Sequence, residues 1–319
     1  MKRASLILAI IGVCVLLIAP IWAYIIVPPQ LILPDDVEQS VTYEGEAYMA
    51  NPTDLTEEMG PYDLEIERTY EGVKTVNDDE VLIIEETAKS MIDSPLTPDP
   101  KVKTYTLAIE RDTYEHLNED GDQWDYARYG RFTFGPHPEK KDVEFWLHDI
   151  NETVTAKYIG TTTYEGLDVI EYSMSGSKPV TKNMDMVQKY AGMAYYYGNG
   201  VLNELIYQEE SMVYVTEASG VIVYLDRTVQ YYGDVTFLSS NETHRVTFSK
   251  MSYGFNEETS DKLIDKATEA DEKLELYEFT IPLAFLIGGS GILVFTGIWH
   301  LRKYRKLKAK AEPEEIPAA

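Results

Sequence analysis

The side chains best suited to metal binding or proton transfer at neutral pH are five histidines, His116, His137, His148, His244 and His300. None stands at the spacing of an HExxH pair or another ligand set, so zinc hydrolysis has no sequence basis. No GxSxG elbow and no phosphate-cradling glycine loop occurs, and the single cysteine, Cys14, lies inside an apolar segment. Carboxylates number about one in five through the central chain, so two will meet by chance and a paired-acid glycosidase gains no specific support. The expectation is a non-enzymatic protein with no catalytic residue, cofactor or metal ligand to assign. The segment Asn118 to Asp125, NEDGDQWD, sets oxygen ligands around Gly121 as calcium loops do, but lacks the twelve-residue pattern and its terminal glutamate. A solvated acidic turn is the plainer reading. Asn151-Glu-Thr153 and Asn241-Glu-Thr243 are acceptor sequons, the two candidate glycosylation sites. The run Tyr195 to Gly200, YYYGNG, offers rings that can stack on sugars or lipids, against the simpler expectation of a tyrosine-rich loop lying on its own sheet.

The formal charge of -26 is unevenly spread. Lys2, Arg3 and six basic residues from Arg302 to Lys310 sit at the two ends; without them and the acids of the tail, 20 basic residues face 51 acidic ones. Such a middle repels nucleic acid and anionic lipid surfaces, so no nucleic-acid partner is expected. With Cys14 in the first apolar segment, the middle has no disulfide, and packing alone must hold it.

Any chemistry must be positioned by what lies between two anchors. Ala4 to Val27 is apolar apart from Ser5 and Tyr24, long enough at about 1.5 Å per residue to cross a hydrocarbon core of about 30 Å. Its length and the lack of a small-x-small cleavage pattern favour an uncleaved signal anchor over a cleaved signal peptide. Phe279 to Trp299 carries no charge and is followed at once by HLRKYRKLKAK. The basic flanks place both termini in the cytoplasm and residues 28–278 outside, the topology of a double-pass plasma-membrane protein. The small pair Ala284 and Gly288, with Gly289 and Gly291 nearby, could let the two helices approach closely.

Between the anchors the period is two. Leu64, Ile66 and Tyr70 alternate with Glu65, Glu67 and Glu71; Tyr105, Leu107 and Ile109 alternate with polar or small neighbours. Short apolar runs follow at 81–84, 154–159 and 167–172. From Ser211 the text reads as a meander with turns at EASG, GD and SSNE, the last two flanking VTFL. Thr-Tyr-Glu-Gly recurs at 42–45, 69–72 and 163–166 without a common period, which suggests recurring hairpin chemistry. Lys182 to Ala194 predicts a helix, and Glu257 to Glu278 a stronger one, its stripe of Leu263, Ala267, Ala270, Leu274 and Tyr277 expected to pack on its own domain. The expected fold is mainly β, an antiparallel curved sheet with a few helices. The expected divisions are an anchor at 1–27, a β-rich domain at 28–255, an amphipathic stalk at 256–278, a second span at 279–301 and a basic then acidic tail at 302–319.

Three blocks carry a family likeness: FTFGPHPEKKDVEFW from Phe132, TAKYIGTTTYEGLDVIEYSM from Thr155, and YVTEASGVIVYLDRTVQYY from Tyr214. With the two-span frame, they resemble a family of double-anchored envelope proteins labelled PorA-family porins. The resemblance implies a membrane-held envelope protein and brings no catalytic residue with it. A pore of strands needs a closed, lipid-facing barrel, whereas this chain enters the membrane by two helices. The leading functional expectation is therefore a binding or envelope-organising ectodomain, its partner a lipid, a glycan or a coat protein. A channel and an extracellular hydrolase are the alternatives.

Overall fold

A computed structural model of the chain describes residues 2–28, 31–77, 80–95, 99–117, 129–147 and 150–311. It divides into two compact units, one of Met1–Leu31 with Asp271–Ala319 and one of Ile32–Ala270.

In the terminal unit, α1 (Lys2–Ile21) is followed by a π turn at Trp22–Ile26, and α4 (Ile281–Ala311) is preceded by another at Leu276–Thr280. Pro282 has no N–H and its ring crowds the carbonyl four residues back, inside that second π turn, where the wider winding takes up the mismatch. Two helical stretches, one beginning at Ala4 and one containing α4, are long and apolar enough to cross a membrane. The helices meet at Gly12 and Gly289. A Cβ on Gly289 would stand 2.7 Å from Leu16 Cγ and 2.9 Å from the Gly12 carbonyl oxygen. Of the glycines anticipated there, Gly289 makes the contact, while a Cβ at Gly288 or Gly291 meets nothing within 4 Å. One residue of helical rotation, about 100°, separates the two faces, and spacing alone cannot say which one is used. At the end of α1, Trp22 Nε1 donates to the Tyr277 carbonyl at 2.9 Å while the two rings stack at 6.2 Å.

The second unit is one sheet of eleven strands: β1 (Glu38–Asn51), β2 (Asp54–Val76), β3 (Val81–Ile92), β4 (Lys101–Glu110), β5 (His116–Leu117), β6 (Val143–Leu147), β7 (Glu152–Tyr164), β8 (Leu167–Pro179), β9 (Gly200–Thr216), β10 (Ile222–Phe237) and β11 (Glu242–Phe255). Their order is β5-β4-β3-β2-β1-β11-β10-β9-β8-β7-β6, all neighbours antiparallel. Successive strands are antiparallel neighbours, β8 and β9 through α2, except β5 and β6, which form the two edges of the order; first meets last in the middle, Tyr43 opposite Phe255 through Met49 opposite Ser249. The outer strands are joined through Arg131, which bridges Glu115 on one side and Phe145 on the other, so the sheet is a nearly closed barrel. The mainly antiparallel expectation holds.

Several boundaries differ from the sequence reading. Gly233-Asp234 is not a turn: β10 runs through it, with Gly233 paired to Leu205 and Val246. A Cβ at Gly233 would meet the Glu204 carbonyl at 2.3 Å, so glycine here marks close strand contact and not a reversal. Of the three Thr-Tyr-Glu-Gly copies only 163–166 is a hairpin turn, with Glu165 and Gly166 at φ 48° and 84°; the others lie inside β1 and β2. The first predicted helix extends further, as α2 (Met184–Gly198), capped by the Asn183 side chain accepting from Met186 N at 3.2 Å and ended by left-handed Asn199. The second is α3 (Glu257–Glu275).

Most of the core lies on one face of the sheet, and Val81, Ile83 and Ala108 form a small buried cluster on the other. Tyr207, Tyr231, Val235 and Phe248 pack with Tyr190 and Ala194 of α2; Val41, Tyr43, Leu64 and Ile66 pack with Leu263 of α3. Ala267 of α3 joins Val169 and Val223. Leu263 and Ala267 of the stripe thus pack on the sheet, as the period implied, whereas Tyr277 stacks on Trp22 of the terminal unit. On the alternate positions Glu38, Glu44, Glu46, Glu65, Glu71, Glu85, Lys89, Glu204 and Glu210 are exposed.

Candidate functional site

Alternation breaks at four inward positions. Along β2 the inward residues read Leu64, Ile66, Arg68, Tyr70, and along β3 Leu82, Ile84, Glu86; β9 gives Leu205, Tyr207, Glu209, Ser211 and β10 gives Arg227, Val229, Tyr231. Period-two strands thus carry charges into the core, and they meet there. Arg68 lies 3.3 Å from Glu86 and over the Tyr43 ring at 5.9 Å; Arg227 Nε lies 2.9 Å from Glu209 and its carbon over the Tyr253 ring at 5.9 Å. Tyr43 and Tyr253 touch edge to face at 5.7 Å. The sequence Glu, Arg, Tyr from β3 to β1 is repeated by Tyr, Arg, Glu from β11 to β9, a belt of two cations and two anions about the junction of first and last strand. Glu209 also accepts from Tyr207 and Ser211 hydroxyls, each at 2.6 Å, and Arg227 donates to the Tyr207 oxygen at 3.0 Å. Burial works against the Arg68 charge, but Tyr70, Glu86, Tyr43 and Tyr253 around it raise its affinity for the proton well above the ordinary value. Burial likewise pushes the Tyr43 and Tyr70 hydroxyls up, leaving them neutral donors. Every ion of the belt has an opposite charge in reach, which is what its burial requires.

A second arrangement lies at the seam between the barrel's outer strands. Arg131 N donates to the Glu144 carbonyl at 2.7 Å and His116 N to the Gly130 carbonyl at 3.1 Å. Phe134 packs between Phe145 at 4.9 Å and Tyr172 at 4.8 Å, and the Tyr172 hydroxyl donates to the Glu139 carbonyl. Lys140 pairs with Glu217 at 2.9 Å, and His137 N donates to the Ala218 carbonyl at 2.7 Å. Gly220, at φ 74°, passes so close to the Gly135 carbonyl that a Cβ would stand 2.0 Å from it. The segments 132–146, 155–174 and 214–232 all contribute to this seam and to the cluster of Phe134, Val143, Ala156, Ile170, Tyr172 and Val215 beneath it. A family model described as Porin PorA matches residues 4–299. The chain belongs to the porin PorA family. No curated protein matches it. The three blocks that carried the PorA likeness are adjacent in space: the first reaches across the seam at Phe132, and the other two hold it on the sheet.

One opening in the PorA sheet unit is a cleft of about 200 Å³ lined by Tyr164, Val223, Tyr224, Asp226, Phe255 and Ser260. Tyr164, Tyr214 and Tyr224 touch one another at 4.7 to 5.6 Å. Burial, then Asp226, raises the Tyr224 hydroxyl. The cleft is smaller than pockets that enclose a drug-sized ligand, so what it offers is a surface foothold.

The residues singled out by type fall apart in space. His116 is buried against Phe132, ring edge to face at 5.9 Å; His137 turns in the seam; His244 is exposed beside Glu242; His300 lies on α4. His148 and the acidic segment 118–125 lie outside the described residues. Among the described residues no group of three or more His, Cys, Asp or Glu side chains is placed to hold a metal ion. Tyr195, Tyr196 and Tyr197 are not a loop on the sheet but the last turn of α2, with Tyr196 82% exposed. Asn151 lies in a left-handed turn between β6 and β7 and is only 7% exposed; Asn241 is exposed in the turn between β10 and β11. The belt was missed because acids and bases were read as surface, although their inward parity with Leu64, Ile66 and Leu205 was there to be counted.

Proposed function

We propose that this PorA-family chain is a double-pass plasma-membrane protein whose acidic barrel stands outside the cell and serves as a non-enzymatic binding or organising module for an envelope component, a lipid, a glycan or a coat protein. The observation carrying this reading is the polarity of the barrel. Its outward strand positions bear Glu38, Glu46, Glu65, Glu85 and Glu210, and its inward positions bear the apolar core and the Arg–Glu belt. A membrane pore of strands needs the reverse, an apolar outer band and a polar lumen. A charged outer wall belongs in water, and membrane attachment then falls to the two apolar helices. The basic flanks of those helices support cytoplasmic termini and an outside barrel.

The channel reading draws on the family description and the barrel-like sheet. Planar-bilayer recording separates the two. Purified full-length protein is expected to leave conductance at baseline, while native mass spectrometry of gently extracted protein finds a lipid enriched over the bulk membrane or a defined envelope partner. Reproducible unitary conductance, abolished by substitutions facing the barrel interior, would overturn the binding-module reading.

A further inference from the structure

The two sequons occupy opposite environments. Asn151 is buried at the β6–β7 turn, and the hydroxyl of its Thr153 is committed to the Tyr129 carbonyl at 2.6 Å. The Asn241 sequon lies at the tip of the β10–β11 hairpin, with Asn241, Glu242 and Thr243 all exposed. Its backbone is held open: Asn241 is left-handed at φ 58°, its N–H bonded to the Phe237 carbonyl at 2.8 Å, so the side chain projects from a turn and not from a paired strand. The Thr243 hydroxyl shares a 2.9 Å contact with Thr236 at the surface. A transferase must reach both the asparagine amide and the hydroxyl two residues on, and in the folded barrel only the hairpin presents the pair.

The surroundings of the hairpin point the same way. Leu238, 56% exposed, begins the turn, and its N–H bonds to the Asn199 carbonyl at 3.0 Å, which sets the turn against the end of α2. There Tyr195, Tyr196 and Tyr197 also lie open to solvent. An apolar and aromatic rim thus lies here, at the end of the sheet opposite the start of β1 and the end of β11, Tyr43 and Phe255 pairing at that other end. Exposed aromatic surface beside a glycan acceptor is surface that sugar rings shield.

We propose that Asn241 carries an N-linked glycan and that Asn151 does not. The step is transfer from a lipid-phosphate-linked oligosaccharide. The Asn241 Nδ2 forms a bond to the anomeric carbon of the first sugar as that carbon's bond to the phosphate oxygen breaks. The amide gives up one proton, and the lipid phosphate leaves with the electron pair. The proposal rests on the barrel being outside the cell, where such donors are used.

The test is glycopeptide mass spectrometry of the full-length protein from its own membrane, with protease treatment of intact cells to establish which side the barrel occupies. The expected result is a glycan on the peptide containing Asn241 and an unmodified Asn151. Thr243→Ala should abolish the added mass, Thr243→Ser should retain it, and Asn151→Gln should leave it unchanged; the Thr243 pair spares the left-handed asparagine and so keeps folding out of the comparison. An unmodified Asn241 in a barrel cleaved from outside overturns the glycan alone, and so does a glycan on Asn151. A barrel protected in intact cells overturns the glycan together with the topology.

Discussion

Replacing Glu86 by Gln should destabilise the barrel far more than a surface carboxylate would. Glu86 is 2% exposed and its partner Arg68 24% exposed at 3.3 Å, so the variant leaves a mostly buried guanidinium facing a neutral amide. Breaking one side of a buried pair costs several kcal/mol; because Arg68 retains some water, the low end, about 3 kcal/mol, applies here. For a domain of this size each kcal/mol moves Tm by roughly 2–4 °C, which gives a drop of about 6–12 °C. The comparison is Glu67→Gln, whose pair with Lys89 spans 3.7 Å between half-exposed side chains and should contribute less than about 1 kcal/mol. The double variant Arg68→Met/Glu86→Gln should recover most of the loss, because no orphaned charge remains. Near-UV circular dichroism of the full-length protein in detergent reads the melt, since the belt tyrosines report packing. If Glu86→Gln melts no lower than Glu67→Gln, or the double variant melts as low as Glu86→Gln, the belt is not an electrostatic unit and the reasoning fails.

Alkaline pH should unfold the barrel in a defined window. Burial pushes the Tyr114 hydroxyl up to about 12, so the fold favours its neutral form; that contribution is complete below pH 10 and is lost as pH rises from 10 to 12, about 2 kcal/mol by the upper limit. Tyr114→Phe should shift the alkaline midpoint upward, measured by tyrosinate absorbance alongside circular dichroism. In the helical unit, Gly289→Val forces a branched side chain into Leu16 and the Gly12 carbonyl and should cost about 1–3 kcal/mol in detergent melts, while Gly288→Ala, whose Cβ meets nothing, should be silent. Asn183→Ala removes the cap of α2 and should lower stability by about 1 kcal/mol, read as early loss of helical signal on heating.

How much of this was legible in the sequence follows from the range of the interactions involved. Two apolar runs of membrane-crossing length, their basic flanks, and the period-two pattern of Leu64–Ile66–Tyr70 against Glu65–Glu67–Glu71 are local properties of the chain, and they determined the helices, the β-rich middle and the family likeness. So did the stripe of α3, because a helical period states its own buried face. What tertiary structure decided is everything that depends on which strand lies beside which. Gly233 reads as a turn until β9 and β11 flank it, and which of the small residues from Ala284 to Gly291 meets the other helix is settled by the rotation of one helix against another. The segments at 132–146, 155–174 and 214–232 revealed their mutual packing only when the sheet brought them together. The same holds for Arg68, Glu86, Arg227 and Glu209: a charge in a strand is ordinary on one face and costly on the other, and whether its partner waits there is settled only by closing the barrel.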